Sequence, residues 1–175
     1  VEFVAHPPTL FASKDHLGGR LRSAAQWQQV RLLIRQTARF PIAAPADGTP
    51  FRNSVLAGFS SAQFSEFFLL CYLNSDVIRW YHFMSKRDAR QGMPQLKIGH
   101  LRHLPAPAHS AAIADLDALG KALVEQGRAP DKAERTRLNK LASAALRLSA
   151  DEQRLVSRWA QENPPPKSRQ FRTPS

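Results

Sequence analysis

The chain has 175 residues, with 25 Lys and Arg against 14 Asp and Glu for a formal charge of +11, and 43% of its residues are hydrophobic. That apolar content excludes a disordered basic tail, and the charge points to an anionic partner such as a nucleic acid. The lone cysteine, Cys71, excludes an intrachain disulfide and a cysteine-rich zinc site, and no apolar run approaches the ~20 residues of a membrane span. These features fit a cytoplasmic protein of one domain, or one domain with a helical appendage. The chain begins at Val1 and not at Met, so a fragment of a longer polypeptide is expected, although removal of an initiator or a tag gives the same start.

Residues 1–29 have mixed character, with His6-Pro7-Pro8 as an extended start and Gly18-Gly19 as a turn. Two short strands are predicted at Val30–Thr37 and Phe40–Pro45, and a turn at Ala46–Thr49 leads to a third at Phe51–Phe59. Pro41, Pro45 and Pro50 favour strand ends and edges. Ser60, with Gln63 three residues on, predicts a capping box that opens a helix whose buried face is Phe64, Phe67, Phe68 and Cys71. Asn74-Ser75-Asp76 breaks that helix, because these side chains compete for backbone hydrogen bonds, and a second helix runs from Val77 to about Met84. Both are expected to pack on the small sheet.

Gly92 and Pro94 argue for a loop over Lys86–Lys97, after which Leu96-Lys97-Ile98-Gly99 is expected as another strand and Leu104-Pro105-Ala106-Pro107 as an extended exit. From Ser110 the texture is helical. Ile113, Leu116, Leu119, Leu123 and Val124 form one stripe up to Gly127, and Leu138, Leu141, Ala145 and Leu148 form a second after Pro130-Asp131. Ser149 and Glu152 match a capping box for a third helix, with Leu155, Val156 and Trp159 as its apolar residues. The tail is expected to be extended or disordered. The fold class is therefore α+β: a small mixed sheet with packed helices over residues 1–108, a C-terminal helical segment over 109–163, and a tail from 164 to 175.

The loop Lys86–Lys97 carries four cations and two amide side chains. Cations neutralise phosphates, while Arg and Gln present the forked geometry that reads guanine and adenine edges. Arg87, Arg90, Gln91 and Gln95 are the candidates for base reading. Arg35, Gln36, Arg39, Arg52, Asn53, Lys86 and Lys97, at the ends of predicted elements, are candidates for phosphate or base contact. The competing structural reading ties Arg35 or Arg52 to Asp47, Glu66 or Asp76 inside the fold.

Catalytic and metal readings are weaker. Asn163-Pro164-Pro165-Pro166 resembles the Asn-Pro-Pro-aromatic loop of amino-methyltransferases, but its fourth residue is proline, it follows a helix, and no glycine-rich cofactor loop precedes it. His100 and His103 lack the cysteine pair or carboxylates of a metal site, and Cys71 reads as a core thiol. No metal and no cofactor is expected on this chain.

The order Leu33-Ile34-Arg35-Gln36-Thr37, Phe51-Arg52-Asn53-Ser54, Tyr72-Leu73-Asn74-Ser75, Ile78-Arg79-Trp80-Tyr81, Met93-Pro94-Gln95-Leu96-Lys97-Ile98 and Leu101-Arg102-His103-Leu104-Pro105-Ala106-Pro107 resembles the TaqI-like C-terminal specificity domain. This is the target recognition domain that follows the catalytic domain in adenine-specific DNA methyltransferases and fused type II restriction-modification enzymes. The resemblance covers about Val30 to Pro107, and the helical remainder is similar to the spacer helices that follow such domains. It implies a non-catalytic domain that reads double-stranded DNA beside a methyltransferase domain of the same polypeptide, with S-adenosylmethionine held by that neighbour. The base-contacting residues of the family vary, so the candidates above rest on charge and predicted position. Two rival readings remain: a small nuclease or nucleic-acid-processing enzyme using His82, His100 or His103, and a subunit-assembly module built on the C-terminal helices.

Overall fold

The computed structural model describes residues 24–48, 51, 54–86, 92 and 94–165. A short helix α1 (Ala24–Gln28) leads into three strands, β1 (Leu32–Arg35), β2 (Ala43–Pro45) and β3 (Val55–Gly58), which pair antiparallel in the order β2-β1-β3. Along β1, Leu32 and Ile34 are buried and Arg35 is exposed, the two-residue alternation of a strand with one covered face. The strands lie where the sequence places them but are shorter. Pro45 falls in β2, an edge strand, where a missing N–H is tolerated.

Helices α2 (Glu66–Leu73) and α3 (Asp76–Ser85) follow. The start expected at Ser60–Gln63 is displaced. Ser61 closes a local turn, its Oγ accepting from the Phe64 N–H at 3.0 Å, and Ser65 is the true N-cap, accepting from the Phe68 N–H at 3.1 Å. Phe64 therefore precedes the helix, and Phe64 and Phe67 are only half-buried. The buried set is Phe68, Leu70, Cys71, Tyr72 and Leu73, apolar nearly all round because β2 lies against one side of α2 and a later helix against another.

The break between α2 and α3 is a junction. Asn74, fully buried, donates from Nδ2 to the Ala43 carbonyl at 2.8 Å and accepts the Ala43 N–H on Oδ1 at 2.9 Å, closing the outer edge of β2. Ser75 caps α3 through the Ile78 N–H. The Asp76 N–H donates to Asn139 Oδ1 at 2.9 Å, and Asn139 Nδ2 donates back to the Asp76 carboxylate at 2.6 Å.

Leu96-Lys97-Ile98-Gly99 is not a strand. Lys97 is the last extended residue, and a five-residue helix α4 (Ile98–Arg102) begins after it. Only Leu96 is buried, while Lys97, Ile98 and Gly99 are exposed, so the segment has a single apolar anchor instead of the alternating face a strand needs.

Three longer helices complete the fold: α5 (Ser110–Glu125), α6 (Lys132–Ala145) and α7 (Ala150–Glu162). Asp131 and Ser149 form reciprocal capping boxes with Glu134 and Glu152, and Gly127 ends α5 with φ at +61°. Leu116, Leu119 and Leu123 of α5, Leu138 of α6, and Val156 and Trp159 of α7 are buried, while Leu155 is exposed. Gly120 allows α5 to cross α2 at close range, since a Cβ there would stand 2.3 Å from the Phe67 carbonyl oxygen. One apolar cluster extends from Leu32 of the sheet through Phe68 and Ile78 to Leu138 and Val156, so the C-terminal helices share their core with the sheet. No helix among the described residues is long and apolar enough to cross a membrane. Residues 166–175 of the expected tail, together with the expected features of residues 1–23, lie outside the described residues.

Candidate nucleic-acid interface

The bend after β1 alternates sharply in burial. Ala38, Phe40 and Ile42 are buried with Trp159, against Trp80, Phe83 and Ala160, whereas Arg35, Thr37 and Arg39 are exposed. Anchoring the small and aromatic side chains inward leaves the two arginines on the outer side of a short backbone span. Several backbone bonds fix that span. The Arg35 N–H donates to the Ile42 carbonyl, the Gln36 N–H donates to the Ser54 carbonyl, and the Gln36 carbonyl accepts the Leu96 N–H at 2.6 Å.

The Leu96 bond also fixes one end of the segment between α3 and α4. At one foot, Lys86 caps α3, its N–H donating to the His82 carbonyl at 3.0 Å. At the other, the Leu96 side chain is fully buried between the exposed Gln95 and Lys97. Below them His82 is fully buried, and its Nδ1 lies 3.0 Å from the Arg39 carbonyl. A carbonyl only accepts, so Nδ1 carries the proton. His82 Nε2 lies 3.4 Å from His100 Nδ1, which joins α3 to α4. His82 thus holds the arginine bend and the return of the loop in register.

Arg35, Thr37 and Arg39 line a groove of about 370 Å³ together with Pro94 of the loop and Glu162, Asn163 and Pro164 from the end of α7. Among the sequence-derived candidates, the structure therefore brings Arg35 and Arg39 to one groove and ties Gln36 to the foot of the loop through Leu96. Lys86 is half-buried at the other foot, and Gln95 and Lys97 are exposed on the return. Arg52, Asn53, Arg87, Arg90 and Gln91 lie outside the described residues. Arg35 and Arg39 form no ion pair among the described residues, and Asp76 is engaged by Arg79 at 3.2 Å and by Asn139. Arg79 is an internal strut, 1% exposed, with its guanidinium 4.2 Å from the centre of the Phe40 ring.

Sequence reasoning missed the wall at Glu162–Pro164. Trp159 was legible as an apolar residue of the last helix, yet nothing local to it specifies contact with a bend well over a hundred residues earlier. The histidines of the rival enzyme reading are engaged structurally: His82 and His100 as above, and His103 through Nδ1 to the Gly99 carbonyl at 2.5 Å. No group of three or more His, Cys, Asp or Glu able to hold a metal occurs among the described residues. Cys71 is fully buried, and burial pushes its thiol up to about 12, which suits a core thiol and not a nucleophile. Burial likewise raises the Tyr72 phenol, whose OH donates to the Pro105 carbonyl and ties α2 to the Leu104–Pro107 exit.

Residues 9–106, more than half of the 175, match the family of the TaqI-like C-terminal specificity domain. The chain belongs to this family. No curated protein matches it. A specificity domain is the non-catalytic, DNA-sequence-recognising part of a methyltransferase or restriction system, so DNA is the partner implied for this chain. The matched span contains every candidate contact residue, from Arg35 to Lys97, and ends before α5.

Proposed function

We propose that this specificity domain reads a short sequence in double-stranded DNA for an adenine-specific methyltransferase or a fused type II restriction-modification enzyme, and that the chain is the non-catalytic part of that longer polypeptide. The family match across the anchored cationic loop is the observation that carries the reading. Arg35, Arg39, Arg52, Lys86 and Lys97 neutralise phosphates or reach base edges. Arg87, Arg90, Gln91 and Gln95 read bases, and Gln36 and Asn53 contact the DNA as well. Fixing both feet of the loop before DNA arrives lowers the ordering cost of binding.

Methyl transfer belongs to a neighbouring domain that would hold S-adenosylmethionine. Asn163, the one residue resembling a target-amine clamp, is the C-cap of α7, and its Nδ2 donates to the Trp159 carbonyl at 3.0 Å. No step of the transfer is assigned to this chain.

Selection of the full chain on randomised duplexes tests the reading. A short motif should be enriched, Arg90→Ala should change that motif, and Lys86→Ala should mainly weaken binding and reduce its salt dependence, since a bidentate base contact carries about 1–3 kcal/mol of discrimination. Enrichment of no sequence by the unaltered chain would overturn the proposal. In the parent coding sequence, a glycine-rich cofactor loop and an Asn-Pro-Pro-aromatic motif are expected upstream.

A further inference from the structure

The family match ends at residue 106, yet the groove beside Arg35 and Arg39 has a wall supplied by residues 162–164. That wall is firmly joined to the arginine bend. The Trp159 ring meets Phe40 edge-on, with centroids 6.0 Å apart, and Phe83 at 5.4 Å. Arg79, stacked on Phe40, donates from Nη2 to the Asn163 carbonyl at 3.3 Å. The end of α7 and the bend therefore form one packed unit, and DNA that enters the groove meets both.

The two segments that line the groove differ in chemistry. Arg35 and Arg39 offer only donors and positive charge, whereas Glu162, exposed and lining the same groove, offers an acceptor and a negative charge. A groove with cations alone would take any phosphate. A carboxylate in the same groove repels phosphate and rewards an exocyclic amino group, such as N4 of cytosine, while the arginines suit the acceptor edge of guanine.

We propose that the last helix is part of the DNA-reading site and that Glu162 is a specificity determinant, which disfavours sequence-independent phosphate contact in the groove and favours a G·C base-pair edge. This rests on the DNA-reading function proposed above. It assigns to α7, outside the family-matched span, a direct share in sequence choice.

The test compares the full-length chain with Glu162→Gln and with Glu125→Gln, which removes the same charge from an exposed position at the end of α5 that does not line the groove. Both replacements are at solvent-facing positions and leave the core intact. Glu162→Gln should tighten binding to a random-sequence duplex at low salt by about three- to tenfold and lower the ratio of specific to non-specific affinity. Selection on randomised duplexes should lose its G·C preference at one position of the enriched motif. Equal behaviour of the two variants, or an unchanged motif with Glu162→Gln, would overturn the assignment while leaving the DNA-reading function standing. Failure of the unaltered chain to enrich any sequence would instead remove the function on which it rests.

Discussion

Replacing Asn74 by Ala removes the side-chain amide that completes the outer edge of the sheet. In the intact protein the amide exchanges two hydrogen bonds with Ala43, at 2.8 and 2.9 Å, and both residues are fully buried. The variant leaves the Ala43 N–H and carbonyl without these partners in a place that water does not reach. At about 1–3 kcal/mol for each stranded group, the loss comes to about 2–6 kcal/mol, a large part of the 5–15 kcal/mol that typically separates folded from unfolded chains. Asn74→Asp supplies a sharper test. As a carboxylate it accepts from the Ala43 N–H but faces the Ala43 carbonyl with negative charge, whereas the neutral acid can donate there and restore both bonds. Its folded pKa must therefore lie above the unfolded value of about 3.9. The sign follows: relative to Asn74→Ala, the acid's stabilisation is complete below the unfolded value and is lost as pH rises through the folded one. Urea unfolding of the full chain across this range measures both effects. A cost below about 1 kcal/mol for Asn74→Ala, or an Asp variant that gains no stability relative to Ala on acidification, would refute the edge-closing role.

Leu96→Ala deletes three buried carbons worth about 2.4 kcal/mol of transfer free energy and leaves a cavity, for a total of about 3–5 kcal/mol. Thermal unfolding should show the loss, with faster amide exchange at Gln95 and Lys97; a change below about 1 kcal/mol would mean that Leu96 does not anchor the loop. Gly120→Ala drives a methyl group against the Phe67 carbonyl and should destabilise by about 1–3 kcal/mol in urea unfolding, although alanine favours helix. At Glu134, the Arg128 guanidinium, bonded at 2.5 and 2.7 Å, and the Asp131 N–H hold the carboxyl down at about 2. Its stabilisation is complete above the unfolded value of about 4.3 and is lost as pH falls toward about 2, so Glu134→Gln should flatten that part of the acid-unfolding profile.

The sequence by itself determined what local chemistry can encode. The three strands follow from apolar runs bounded by Pro and Gly, the helix break from Asn74 and Ser75, and the last two helix starts from Pro130-Asp131 and from the capping box at Ser149. Two local signals pointed the wrong way for one shared reason, that a short motif cannot tell which of several similar contacts will be kept. Ser61 and Ser65 both accept an N–H three residues ahead, and only Ser65 has a continuous apolar helix after it. Leu96 could begin a strand or seat a loop, and the single buried slot beneath it decided for the loop. The family motifs carried the DNA-binding reading because their order persists in sequence, while their physical purpose emerged only in three dimensions. Asn74 reaches Ala43 across 31 positions, and Tyr72 reaches Pro105 across 33. Tertiary structure alone decided that Arg35 and Arg39 share a groove with Glu162. That meeting depends on Trp159 packing against Phe40, a contact set by the shape of the whole core and not by any feature near either residue.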